Sequence, residues 1–409
     1  MTDTDFEEEK KILKWLEKEV GFENYIDAIE RDPSRLKSTF QKILDLKGKA
    51  KIVTVAGTNG KGEVCQNLSM FLKQQGITHT LFSSPHVFTI RERFQSDGQL
   101  IEYSELKSLC EETLGVVKEK KIVVSYFEFL FLSFLIFTKK RSPRIIILEV
   151  GLGGRLDATN LLDTDLALLT SISRDHQKFL GNSLSSILSE KLAISRKRKV
   201  LVTNLESHYL RRLARKYAYE KEVFHIDLFD VEVSSIEDSF QNLNFKLARF
   251  ALIQLGMREK ISSMKQYKRK WELKALNKKF DFYGSHNPEG LRKTMNLVCK
   301  SQDKFGFIIA SFSQRPKKDI MTMLSTLLAY KPKKCRILIT LNDNFKSFSS
   351  KQLEEILNAP NFQQIEFVPD WEKLALCFKE SSDTRVLVTG SYYFISPFFD
   401  FLQQSKLCS

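Results

Sequence analysis

Between Lys51 and Leu72 the chain reads KIVTVAGTNGKGEVCQNLSMFL. Ile52, Val53, Thr54 and Val55 form an unbroken apolar and β-branched run, the signature of a short buried strand. Val64, Leu68, Phe71 and Leu72 then recur at helical spacing, and Gly76 supplies a stop. Between strand and helix lie Gly57, Thr58, Asn59, Gly60, Lys61 and Gly62. A glycine-rich loop in this position aims free backbone N–H groups and a helix N-terminus at an anion, and Lys61 adds a mobile positive charge. The expected ligand is therefore a nucleotide phosphate. The spacing departs from the strict GxxxxGK[ST] pattern, and a glycine-rich turn that merely packs is the alternative.

A chain of 409 residues is long enough for two domains, each with its own core. With 42% hydrophobic and 28% charged residues it falls among ordinary globular chains. Its most apolar run, FEFLFLSFLIF from Phe127 to Phe137, is too short to span a bilayer and predicts a buried helix. The opening MTDTDFEEEKK is acidic and polar, unlike a signal segment. Cys65, Cys110, Cys299, Cys335, Cys377 and Cys408 form no CxxC pair, so a reduced, cytoplasmic setting is expected. The net charge of +14 raises the question of nucleic acid. The basic runs KKR (Lys139 to Arg141) and RKRK (Arg196 to Lys199) are short, lack interleaved aromatics and belong to no recognised nucleic-acid module. A solvated lysine-rich surface is expected, with neither nucleic acid nor membrane as partner, whose field attracts polyanionic small substrates.

Further along, HTLFSSPH, RIIILEVGLGG, LALLTSISRDH and KVLVTN are short apolar runs that end in polar or glycine residues, with helical patterns between several of them. Strands alternating with helices predict an α/β fold with a mainly parallel sheet buried on both faces. Ligands of such sheets sit beyond the carboxyl ends of the strands, where Gly57 to Gly62, Ser84, Glu149 and His176 fall. Val231 to Arg269 is the least legible stretch. Beyond it FGFIIASF, CRILITLN, IEFVPD and TRVLVTGS predict a second, smaller α/β domain. Its helices are expected around Ile320–Tyr330, Gln352–Ala359 and Trp371–Phe378. The boundary is expected near residue 265, giving domains 1–265 and 266–409.

Glu149 closes the apolar strand IIILEV, where an unpaired carboxylate would cost several kcal/mol. A metal ion or a cationic partner would compensate. Ser84, in SSPH, and His176, in SRDH, end the neighbouring strands. A hydroxyl, a carboxylate and an imidazole beside a phosphate loop make a Mg²⁺ or Mn²⁺ site, completed by phosphate oxygens and water. A satisfied core histidine is the plain alternative for His176.

The segments TVAGTNGKG, SSPH, YFEF, ILEVGLGGRLDATN, EKLAI and SHNPEG occur in an order and spacing that resembles the folylpolyglutamate synthase/dihydrofolate synthase family. That family belongs with the Mur ligases among ATP-dependent amide ligases. The resemblance implies an N-terminal P-loop-type ATPase domain and a smaller C-terminal Rossmann-like α/β domain. It implies a reaction in which ATP converts a carboxylate of dihydropteroate or a folate to an acyl phosphate, which the amine of L-glutamate attacks. It further implies Mg²⁺ at two sites, allows a monovalent cation, and suggests a monomer. Lys61 and the loop from Gly57 to Gly62 would hold ATP phosphates, and Ser84, Glu149 and His176 match the family's metal ligands. Lys191, in EKLAI, matches a carbamoylated lysine that holds a second metal; a surface lysine is the alternative. Ser125, Phe127, Asp157 and Ala158 match the pterin pocket, with Phe127 stacking on the ring and Asp157 accepting hydrogen bonds from its edge. Asn244, in FQNLN, matches the residue that approaches the adenine, and His286 to Pro288 match the segment through which the second domain closes.

Several positions break the family pattern. Glu63 replaces a Ser or Thr, Phe240 a His, Lys270 an Arg that reaches ATP phosphates, and Tyr283 an Asp. A lysine keeps charge but loses bidentate geometry, and a glutamate at a phosphate site repels the ligand unless it points away or faces the metal. Two other readings stay open beside the folate ligase: a Mur-type ligase of cell-wall peptide precursors, and a nucleotide-binding paralogue whose ligase activity has decayed.

Overall fold

The strand, loop and helix of the opening stretch are β1 (Lys51–Ala56), buried beyond Lys51, and the helix Lys61–Gln74. Gly76 follows with φ +65°, a left-handed turn that ends the helix. The computed structural model describes residues 3–21, 33–44, 50–231, 240–257, 267, 270–300, 304–342, 347–379 and 385–404. It divides into two units, Met1–Tyr267 and Lys268–Ser409. The boundary expected near residue 265 lies outside the described residues.

The first unit is built on an eight-stranded sheet of β1, β2 (His79–Phe82), β3 (Gln95–Ser96), β4 (Gln99–Leu100), β5 (Ile145–Glu149), β6 (Leu166–Leu169), β7 (Val200–Thr203) and β8 (Phe224–Asp227), in the order β4-β3-β2-β5-β1-β6-β7-β8. Six strands are parallel, and β3 and β4 form an antiparallel edge. The registers Val55↔Glu149 and Ala56↔Leu169 bring the carboxyl ends of β5, β1 and β6 level. The crevice beyond these three ends is where an open α/β sheet binds ligands.

The apolar run from Phe127 lies in the helix Tyr126–Arg141, started by a capping box between Ser125 and Glu128. Being apolar on every side it is buried among other elements rather than lying on the surface. Phe129, Phe131, Phe134 and Phe137 are buried, and the last three contact Phe82 of β2 or Phe94 just before β3. Each such ring contributes roughly 1.5–3 kcal/mol. This core fixes the floor under the loops that follow β2 and β5.

The second unit holds β9 (Lys270–Ala275), β10 (Lys278–Gly284), β11 (Phe307–Ser311), β12 (Arg336–Ile339), β13 (Ile365–Phe367) and β14 (Arg385–Gly390), in the order β13-β12-β11-β14-β10-β9. All pairs are parallel except the β9–β10 hairpin. The helices expected between its later strands are Lys317–Tyr330, Ser350–Leu357 and Trp371–Lys379.

Candidate active site

The loop after β1 is held from one side by the segment that leaves β6. Thr58 N–H donates to the Ser171 carbonyl at 2.7 Å. Asn59 N–H donates to Ser171 Oγ at 3.1 Å, and that hydroxyl returns a bond to the Asn59 carbonyl at 2.9 Å. Thr170 Oγ1 donates to the same carbonyl at 2.7 Å, and Ser173 N–H to Thr58 Oγ1 at 3.0 Å. Two of the N–H groups expected to face an anion are thus spent on fixing the loop. The donors left for a ligand are those at the start of the helix Lys61–Gln74, which have no intrahelical partner. Lys61 Nζ folds back on the carbonyls of Gly57 (3.2 Å) and Thr58 (3.4 Å). The hydroxyls of Thr170, Ser171 and Ser173 escaped the sequence reading, although their clustering in TSIS directly after an apolar strand is a signal for them.

Glu149 is buried at the end of β5 and accepts the N–H of Ser84 at 3.1 Å. The Ser84 hydroxyl is buried beside it without a hydrogen-bond partner. His176 lies seven residues past β6, caps the short helix Gln177–Leu180 and adopts φ +49°, a left-handed conformation unusual outside glycine. Its N–H donates to Asp175 Oδ1 at 3.0 Å. Among the described residues no group of three His, Cys, Asp or Glu side chains converges as a metal cluster. The set expected here includes a serine and a lysine and is of a different kind.

Lys191 is buried near the end of the helix Leu184–Leu192. The GLGGR segment lies against this helix, with Arg155 N–H donating to the Glu190 carbonyl at 2.9 Å and Arg155 Nε to its carboxylate at 2.8 Å. Burial, and next the charge of Lys61, pull the Lys191 ammonium down to about 7, while Asp175, Asp157 and Glu190 act in the opposite direction. Lys191 thus lies within electrostatic reach of Lys61, Asp175 and Asp157, and Gly154 packs against its backbone. A solvent-facing surface lysine is ruled out.

Asp157 organises that last segment. Its Oδ2 accepts the N–H groups of Gly151 (3.0 Å) and Leu152 (2.9 Å); its Oδ1 accepts the N–H (2.9 Å) and hydroxyl (2.6 Å) of Thr159. Burial raises the carboxyl and these four bonds offset part of the rise. Four bonds fill a carboxylate, so the acceptor expected to face a pterin edge is occupied by its own loop. Phe127 lies beside it: a Cβ on Gly151 would stand 2.8 Å from the Phe127 ring and 3.3 Å from Asp157 Oδ2, so no larger residue fits between them. Ala158 is buried in the same wall, and Ser125 spends its hydroxyl accepting Glu128 N–H at 3.3 Å.

Asn244, on the helix Phe240–Gln254, is buried against Gly60 of the phosphate loop. Its Nδ2 donates to Glu63 Oε2 at 2.7 Å. The glutamate that breaks the family pattern is thus buried and bonded within the protein. The side chains of Phe240 and Gln241 lie outside the described residues.

Residues 55–264, just over half of the chain, match the family described as Mur ligase middle domain. The dihydrofolate synthase/folylpolyglutamate synthase of Buchnera aphidicola subsp. Baizongia pistaciae is 37% identical over 204 residues, 49% of this chain and 47% of that protein. The chain spans about half the length, or less, of the first curated relatives it matches. A bifunctional folylpolyglutamate synthase/dihydrofolate synthase from Yersinia pestis, complexed with AMPPNP and Mn ion, has TM-score 0.78 at 25% identity, covering 96% of this chain and 98% of that one. Another structure of a bifunctional enzyme of that name, with Mn, AMPPNP and L-glutamate bound, has TM-score 0.75 at 25% identity over 90% and 94%. The chain belongs to the Mur ligase family.

Two family positions expected at the nucleotide lie in the second unit. Lys270 is not a loose point charge: Nζ lies 2.7 Å from Glu272 and 3.4 Å from Asp281. The registers Tyr283↔Lys270 and Asp281↔Glu272 put all four side chains on one face of the hairpin. Within its own sheet Lys270 is therefore an ion partner of Glu272 and Asp281. His286 lies against the Tyr392 ring at 5.7 Å, and Asn287 Oδ1 accepts Gly290 N–H at 2.7 Å at the start of the helix Pro288–Lys300.

Proposed function

We propose that this chain is an ATP-dependent ligase that joins L-glutamate to a carboxylate of dihydropteroate or a folate. The observation that carries this reading is the glycine loop after β1, pinned by Thr170 and Ser171 with Lys61 and an open helix N-terminus at its end, and with Lys191 buried within electrostatic reach of it. In the reaction the acceptor carboxylate takes the γ-phosphoryl group of ATP, and the glutamate amine then displaces phosphate from the acyl phosphate. The chain's task is electrostatic and positional. The N–H groups of Gly60, Lys61 and Gly62 and the Lys61 ammonium hold phosphate oxygens, Lys61 exchanging two long bonds to its own loop for charged ones. Phe127 offers an aromatic face to the pterin, and Gly151, Asp157 and Ala158 shape the wall beside it.

The partnerless buried hydroxyl of Ser84 beside the Glu149 carboxylate fits a divalent cation, which Ser84, Glu149 and His176 would hold. Such an ion, Mg²⁺ in this reading, supplies charge neutralisation for the transferring phosphoryl group. The near-neutral Lys191 amine is suited to add CO2, releasing one proton and forming a carbamate whose oxygens would hold a second cation. No described helix is long and apolar enough to cross a membrane, and the five described cysteines are free. The reading places a monomer in the cytoplasm, with small molecules as its partners.

An ADP-release assay with dihydropteroate, tetrahydrofolate or a muramyl peptide precursor, each with L-glutamate, tests the proposal. Turnover with either pterin acid is expected. Turnover with the muramyl precursor alone would make it a cell-wall ligase, and nucleotide binding without any turnover a decayed paralogue.

A further inference from the structure

We infer that Glu63 is a positioning residue for the phosphate loop: by holding the Asn244 amide against Gly60, it fixes the peptide groups that receive the nucleotide phosphates. This rests on the proposed nucleotide role of the loop. Gly60 carries φ +92° and caps the helix Lys61–Gln74 with no side chain of its own. A glycine there is free to leave this conformation, and something outside the loop must hold it. The Asn244 amide does so by contact: a Cβ on Gly60 would stand 2.6 Å from both its Nδ2 and its Oδ1. Asn244 is itself fixed by its bond from Nδ2 to Glu63 Oε2 at 2.7 Å, and both side chains are buried.

The same helix is anchored one turn on. Asn67 Nδ2 donates to the Glu63 carbonyl at 2.8 Å, and Asn67 Oδ1 accepts Tyr267 N–H at 2.9 Å. Glu63 and Asn67 thus form a buried polar edge on a helix whose N-terminus is the anion site. A carboxylate in the first turn is favourable to the helix dipole but repels a nearby phosphate. A Ser or Thr, the family's usual residue, is too short to span the distance that Glu63 spans to Asn244. The hydrogen bond and the charge of Glu63 therefore act in opposite directions on nucleotide affinity, and variants separate them.

The experiment is calorimetric titration of the full chain with a non-hydrolysable ATP analogue and Mg²⁺, without folate or glutamate, alongside thermal melts. Glu63→Ala removes bond and charge and is expected to weaken binding about tenfold, or ~1.4 kcal/mol. Asn244→Asp sets two carboxylates face to face and should weaken it at least as much. Glu63→Gln combined with Asn244→Asp rebuilds the bond with donor and acceptor exchanged, and should recover most of the affinity lost in Asn244→Asp. A merely structural role would lower melting temperatures without this reciprocal recovery of affinity. The inference is overturned if Glu63→Ala binds the analogue as tightly as wild type, or if the exchanged pair binds no better than Asn244→Asp alone. Should Glu63→Ala fail to fold, the exchanged pair decides. Failure of the ligase reading shows separately, as absent turnover in protein that still binds the analogue.

Discussion

Ser84 donates its backbone N–H to the Glu149 carboxylate at 3.1 Å while its own hydroxyl, buried next to it, has no hydrogen-bond partner. A polar atom left this way costs free energy unless a ligand completes it. Glu149→Gln keeps an acceptor for Ser84 N–H but removes the charge that a cation requires. Turnover should disappear with the melting temperature nearly unchanged. Ser84→Ala should retain turnover but demand about tenfold more Mg²⁺, as loss of one weak ligand implies. Wild-type Mg²⁺ dependence in both variants would remove the cation from this position.

Lys191 makes the stability of the metal-free, nucleotide-free chain depend on pH in a defined direction. Its pKa is about 7 in the folded protein against 10.5 in an exposed lysine. Between those values the unfolded chain binds the additional proton, so stability rises with pH across this window; below it the penalty is fully present. Lys191→Met should be more stable than wild type at neutral pH by roughly 2–4 kcal/mol, and the gap should close towards pH 10. Urea melts along a pH series measure it. A variant less stable than wild type by the same amount at every pH contradicts the buried-ammonium account.

Residues 51–72 were legible because strand, loop and helix are local and follow one another without a partner being needed. The β9–β10 hairpin was not. Its turn residues Leu276 and Asn277 both adopt positive φ, and the glycine that ordinarily announces such a turn is missing. Without the hairpin register nothing in the sequence places Lys270 beside Asp281 and Glu272. Asp157 illustrates a second limit. Its match to a pterin-facing position is visible in LDATN, but the four donors that fill it come from loop closure, which spacing does not encode. Glu63 reads in sequence as a charge at a phosphate site, and its burial against Asn244, 181 residues away, is a tertiary fact.

Phe127 touches Phe82 edge-on, with ring centroids 5.6 Å apart, and is only half-buried by the protein. Its remaining surface is available to a flat ligand. Phe127→Ala should raise the KM for the pterin-bearing acid about tenfold and leave the KM for ATP unchanged, the loss expected of one stacking partner. Equal effects on both substrates would instead indicate a disturbed helix start at Ser125.

Asp281 is fully buried in β10, and both Nε and Nη2 of Arg385 lie 2.7 Å from its Oδ2. Lys270 approaches Oδ1 at 3.4 Å and is held more closely by Glu272, whose carboxyl is lowered to about 2 by its bonds to Lys270 and Lys279. Two cations thus converge on one buried acid. Asp281→Ala leaves both without it, and removing one partner of such a pair typically costs about 3 kcal/mol or more. Lys270→Met is milder: Asp281 keeps Arg385, the Glu272 partner is half in solvent, and a loss of about 1 kcal/mol or less is expected. Nucleotide affinity separates the two roles open to Lys270. As an ion partner within its own sheet, its replacement by Met should leave the affinity for an ATP analogue within about twofold, under ~0.5 kcal/mol. A tenfold or greater loss, with urea melts showing the fold retained, would return Lys270 to the phosphates, where the Arg of its relatives is expected.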